Sequence, residues 1–124
     1  FVHSKLMCWL TVSEALEVSR YLGEEEPEWE LLRDEIRSEI EQLGFCEEYQ
    51  SYIAAYDLRA PDAALLWIIL SGFHPPDHPR SIGTARFVMK HLFRSGSLYR
   101  YIYDDALPGG EGAFHICTSW LIEA

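Results

Sequence analysis

The eight residues "AALLWIIL", Ala63 to Leu70, are apolar on every side. A helix with no polar face cannot lie on a surface, so it must be enclosed by other parts of the molecule. The run is far short of the roughly 20 residues that a membrane span needs, so its enclosure is protein rather than lipid. Asp62 directly precedes it and is a suitable N-cap, because a carboxylate there accepts from the first unpaired N–H groups.

Segments of the opposite kind stand around this run. From Ser4 to about Leu22, Leu6, Trp9, Leu10, Ala15, Leu16 and Leu22 recur near helical spacing, and Gly23 ends the pattern. Glu24, Glu25 and Glu26 then lead into Pro27, which suits a first helical turn. Trp29, Leu32, Ile36, Ile40 and Leu43 form a stripe up to Gly44, and the opposite face carries Glu28, Arg33, Asp34, Glu35, Arg37 and Glu41. This predicts an outer helix with one side in water.

"CEEYQSYIAAYDLRAP" has weak period and reads as extended or looped, with Pro61 disfavouring helix at Ala60. "GFHPPDHPR" is a proline-punctuated turn, and Ile82, Ala85, Met89 and Leu92 predict a further amphipathic helix to about Phe93. Tyr99 to Tyr103 is β-prone, and "AFHICTSWLIEA" reads as the start of another apolar helix. The period predicts an all-α chain in which amphipathic helices lie outside apolar ones, with a plain helical-hairpin bundle as the simpler arrangement. Trp9 and Trp120, both on apolar faces, are expected in the core.

The chain has 124 residues, one domain's worth at most. Twenty acids against ten bases give a formal charge of −10. Nucleic acid and anionic membrane surfaces are therefore disfavoured partners, and neutral ones fit better. Cys8, Cys46 and Cys117 have no close spacing, so they read as buried, reduced thiols in a reducing, cytoplasmic setting. His3, His74, His78, His91 and His115 share no ligand spacing with each other or with the cysteines, so no metal is expected. "PGGEG" lacks the lysine and hydroxyl ending of a phosphate loop, and no cofactor is implied.

The chemistry-bearing stretch is "YRYIYDDALPGGEGAF", Tyr99 to Phe114. Its tyrosines offer flat faces with hydroxyl rims, Arg100 is a forked donor, and Asp104, Asp105 and Glu111 are acceptors. That combination suits a neutral polyhydroxyl ligand. By composition alone, a glycine-rich turn with solvated acids remains open. Asp105 and Glu111 together invite a reading as the two carboxylates of a glycosidase, but their spacing establishes neither role.

Three ordered blocks, "HSKLMCWL", "PDAALLWIILSGFHPPDHPR" and "LYRYIYDDALPGGEGAFHICTSWL", resemble bacterial and archaeal members of glycoside hydrolase family 15, the glucoamylase, glucodextranase and trehalase-like group. The last block is the most specific. Pro61, His74 and His78 depart from the usual residues of the middle block. The resemblance implies part of an (α/α)6 toroid, with residues 1–124 incomplete at both ends, and a sugar site in a funnel of loops. It implies an inverting hydrolase of terminal α-linked glucose, with an α-glucoside as substrate. It also implies that the acid glutamate precedes Phe1 and the base follows Ala124, so no catalytic residue is expected within the chain.

Arg100 matches an arginine that contacts the bound glucose in the family, and Tyr101, Asp105 and Glu111 are its expected companions on the binding wall. Lys5 either lines the funnel or makes a salt bridge at the helix start. The fold does not guarantee turnover, and a non-catalytic helical-toroid module, similar to a domain in the regulatory subunits of phosphorylase kinase, is the alternative. An incomplete ring would leave Ala63–Leu70 without neighbours and prone to association.

Overall fold

The computed structural model describes residues 1–104 and 112–124. The chain is mainly helical: α1 (Val2–Leu22), α2 (Pro27–Leu43), a short hairpin of β1 (Phe45–Cys46) and β2 (Ser51–Tyr52), a 3₁₀ segment (Ala63–Leu66) running into α3 (Trp67–Leu70), α4 (Pro79–Leu92), a second hairpin of β3 (Phe93–Arg94) and β4 (Ser97–Leu98), and α5 (His115–Glu123). Both hairpins are antiparallel.

α1 and α2 form an antiparallel pair. Gly23 closes α1 at φ 77°, with its N–H on Arg20 O and the Glu24 N–H on Ser19 O, a left-handed cap that glycine adopts without a Cβ clash. Gly44, after α2, lets Val2 approach: a Cβ there would stand 2.7 Å from Ile40 O and 3.0 Å from Val2 Cγ2. The pair is laced by Lys5–Glu39 at 2.8 Å and Arg20–Glu30 at 3.1 Å, partly exposed ion pairs that solvent screens to small contributions.

The apolar run lies at the centre. Asp62 caps it through Oδ1, which accepts from Ala64 N at 2.8 Å. Its first turn is 3₁₀ rather than α. Contrary to expectation, this chain alone encloses it: Ala63 to Leu66 and Ile68 are at most 1% exposed, covered by α1, α4 and α5. Trp9 is buried, edge-on to Phe73 with centroids 4.9 Å apart, and Trp120 packs edge-on to Trp67 at 6.0 Å.

Three further expectations are corrected. Of the α2 stripe only Ile40 is buried, and Trp29, Leu32 and Leu43 are exposed. The buried face of α4 is Ser81, Thr84, Val88 and Leu92, while Ile82 and Met89 face outward. Cys46 and Cys117 are buried, as expected, but Cys8 is exposed. Among the described residues no helix is long and apolar enough to cross a membrane.

Candidate functional site

The segment after β4 turns back across the entrance to the apolar run. Tyr99 N–H bonds to Leu92 O, and Ala63 N–H donates to Arg100 O at 2.7 Å, so the Arg100 backbone is fixed to the start of the 3₁₀ segment. Three residues on, Tyr103 Oη donates to Asp62 Oδ2 at 3.0 Å. The Tyr101 and Tyr103 rings stack at 4.5 Å with 16° between planes. Burial, and then the Asp62 carboxylate, push the Tyr103 phenol well above its ordinary value, so it stays protonated and donating.

These residues, with the first turn of α1, enclose a cavity of about 320 Å³ lined by Phe1, His3, Ser4, Ala54, Asp62, Ala64, Leu65, Arg100, Tyr101 and Tyr103. Arg100 Nε is buried and has no hydrogen-bond partner among the described residues. An unpaired donor of this kind costs about 1–3 kcal/mol, more when charged, which is offset where a ligand oxygen supplies the acceptor. Burial holds the His3 imidazole below its ordinary value despite the pull of Asp62, and Arg100 acts in the same direction. His3 is therefore the neutral form, offering one donor and one acceptor.

Of the residues predicted from sequence, Arg100 and Tyr101 line this cavity. Lys5 does not line it, and is engaged with Glu39 across the α1–α2 pair. Asp105 and Glu111 lie outside the described residues. Tyr103 belongs to the tyrosine-rich stretch read as suited to a polyhydroxyl ligand, whereas His3, Ser4 and Asp62 were not predicted to line a site. Their signal was present in the matched blocks, since His3 and Ser4 stand beside Lys5, and Asp62 heads the apolar run. A larger cavity of about 560 Å³ lies over α4, lined by Arg59, Arg86, Lys90 and His91 with Tyr49 and Phe87. No sequence-predicted residue reaches it, and its cations are largely exposed, whereas the smaller cavity holds the buried Asp62. Among the described residues, no three His, Cys, Asp or Glu side chains are grouped to hold a metal ion.

Comparison with known proteins supplies the remaining findings. The family described as Glycosyl hydrolases family 15 matches residues 1–124. A trehalase of Thermoplasma volcanium is 36% identical over 99% of this chain and 20% of its own length. A trehalase of Mycobacterium tuberculosis is 34% identical over all of this chain and 19% of its own. The chain thus spans about a fifth of the curated relatives it matches. Among solved structures, a glycosidase in complex with glucose superposes with a TM-score of 0.67 at 22% identity, covering 77% of this chain and 25% of that one. This last likeness concerns the fold.

Proposed function

The chain belongs to glycosyl hydrolases family 15, and from that premise we propose that it is one section of a longer inverting glycosidase, a partial (α/α)6 toroid domain, that releases terminal α-linked glucose. Trehalose is the first substrate to expect, because the curated relatives at 34–36% identity are trehalases. The observation that carries the reading is the cavity around Arg100, with a cation whose Nε has no acceptor among the described residues, two stacked tyrosines, and a neutral imidazole in its lining. A sugar ring offers hydroxyl oxygens to the guanidinium and an apolar face to the aromatic rings.

In an inverting hydrolysis one carboxylic acid protonates the leaving oxygen while a carboxylate, about 6.5–9.5 Å away, activates a water on the opposite face of the ring. Asp62 is a poor candidate for either role. One of its oxygens accepts from Ala64 N and the other from Tyr103 Oη, so neither is free to exchange a proton with substrate. As the family resemblance implies, both catalytic glutamates lie in this proposal in segments beyond these 124 residues, and the part played by this section is to hold the glucose. Asp105 and Glu111 complete the wall in this proposal. The buried thiols of Cys46 and Cys117 support a reducing, cytoplasmic setting.

The test is glucose release from trehalose, maltooligosaccharides and isomaltose by a chain extended to the length of the relatives, beside the 124-residue chain alone. Turnover by the extended protein only, highest on trehalose, is the expected result. Turnover by the short chain would move the catalytic pair into it. No turnover by either would favour a non-catalytic binding module.

A further inference from the structure

The Arg100–Tyr103 segment is anchored twice to the same short stretch. Its first residue is held through the backbone, Ala63 N–H to Arg100 O at 2.7 Å. Its last is held through one side chain, Tyr103 Oη to Asp62 Oδ2 at 3.0 Å. Asp62 is 7% exposed and spends its second oxygen on the cap of the 3₁₀ segment, at 2.8 Å from Ala64 N. Because Tyr101 stacks on Tyr103, fixing the Tyr103 ring also fixes the Tyr101 face, and the Arg100 guanidinium carbon lies 5.9 Å from the Tyr101 centroid.

A cap by itself needs one oxygen, and serine or threonine would serve equally well. The second oxygen has a different use. We propose that Asp62 is a positioning residue for the sugar-binding wall: it clamps Tyr103, and through the Tyr103–Tyr101 stack it sets where the Arg100 guanidinium meets the substrate. The proposal rests on the reading of Arg100 as a sugar contact. It adds that the wall is held by a charge-assisted hydrogen bond from the central apolar run rather than by its own loop.

Serine at this position separates the two uses, since it keeps the cap and is too short to reach Tyr103. Asparagine keeps both, because its carbonyl oxygen can cap while its amide donates to Tyr103 Oη. In the extended protein, Asp62→Ser and Tyr103→Phe should each lower kcat/KM for the hydrolysed α-glucoside about 10-fold, chiefly through KM, as expected for loss of a hydrogen bond to a charged group. Asp62→Asn should stay within about 3-fold of the parent on the same grounds. In an Arg100→Ala background, Asp62→Ser should cost less than about 2-fold, because residues that act through one another are not additive.

Equal losses in both backgrounds would overturn the proposal, and so would an unaltered KM in Asp62→Ser and Tyr103→Phe. A crystal structure of the Asp62→Ser form decides the point without turnover: displaced Tyr101, Tyr103 and Arg100 side chains support the clamp, and unmoved ones refute it. If Arg100→Ala leaves KM unchanged, the sugar-contact reading fails, and the clamp is still judged by that structure.

Discussion

At the scale of single residues, His74 shows how far a side chain's role can lie from its local sequence. The sequence placed it in a proline turn; the fold buries it at 5% exposure. Arg37 Nη2 lies 3.5 Å from His74 Nδ1, and Tyr52 Oη lies 2.8 Å from Nε2. Arginine has no acceptor, so Nδ1 must accept and Nε2 must donate to Tyr52. His78 stacks on the ring at 4.2 Å, Arg80 is nearby, and Glu41 Oε1 stands 4.0 Å from Nε2. Burial, then His78, Arg37 and Arg80, push the imidazole down to about 4 from an ordinary 6.5. The unfolded chain therefore binds the proton first as pH falls, so stability is fully present above about pH 6.5 and is lost toward pH 4, by up to about 3 kcal/mol. Urea midpoints of the extended protein at about pH 7.5 and about pH 4.5 should show that loss, and His74→Leu combined with Tyr52→Phe should shrink it without leaving a buried hydroxyl unpaired. An equal loss in the double variant would place the acid sensitivity elsewhere. Neither partner was legible beforehand, because 22 residues separate them and no periodicity links a strand tyrosine to a turn histidine. Arg100 and Tyr101, which line the smaller cavity, were singled out by the chemistry of their stretch and more specifically by the resemblance of their block.

At the scale of elements, the helices were readable and their faces less so. The α1 and α2 boundaries follow Gly23, Pro27 and Gly44 closely, because caps are local chemistry. α4 buries Ser81 and Thr84 in place of Ile82 and Met89, and hydrophobic periodicity cannot see a buried hydroxyl. Thr84 Oγ1 donates to Arg80 O and accepts from Tyr52 N, which meets the hydrogen-bonding needs that make burial tolerable. The β3–β4 hairpin was missed although its signal was present: Ser95 and Gly96 both take positive φ, 51° and 83°, as a two-residue hairpin turn requires. α2 left Trp29, Leu31, Leu32 and Leu43 exposed, and Val18, Tyr21 and Leu22 at the end of α1 are exposed as well. These exposed apolar faces, rather than the buried Ala63–Leu70 run, are where self-association of the 124-residue chain is expected. Sedimentation at about 100 μM should show self-association that weakens in a Leu31→Glu, Leu43→Glu double variant. A monodisperse parent would contradict this.

At the scale of the whole molecule, the helical chain, its match to the family over every residue, and a cavity built around Arg100 converge on one account. The apolar run is enclosed by its own neighbours, and its N-terminal end carries the residues that shape the cavity: Asp62 caps it, Ala63 anchors Arg100, and Tyr103 returns to Asp62. Fold stability and the proposed sugar wall therefore meet at one short stretch, and in the proposed function the chemical step belongs to carboxylates outside it. The most direct measurement is the Michaelis profile for trehalose of the extended protein with Arg100, with Arg100→Lys and with Arg100→Ala. The account predicts a KM about 10–100-fold higher for alanine, the loss expected for a hydrogen bond to a charged group, and an intermediate value for lysine, which keeps the charge without the fork. An unchanged KM in Arg100→Ala, with kcat intact, would contradict it.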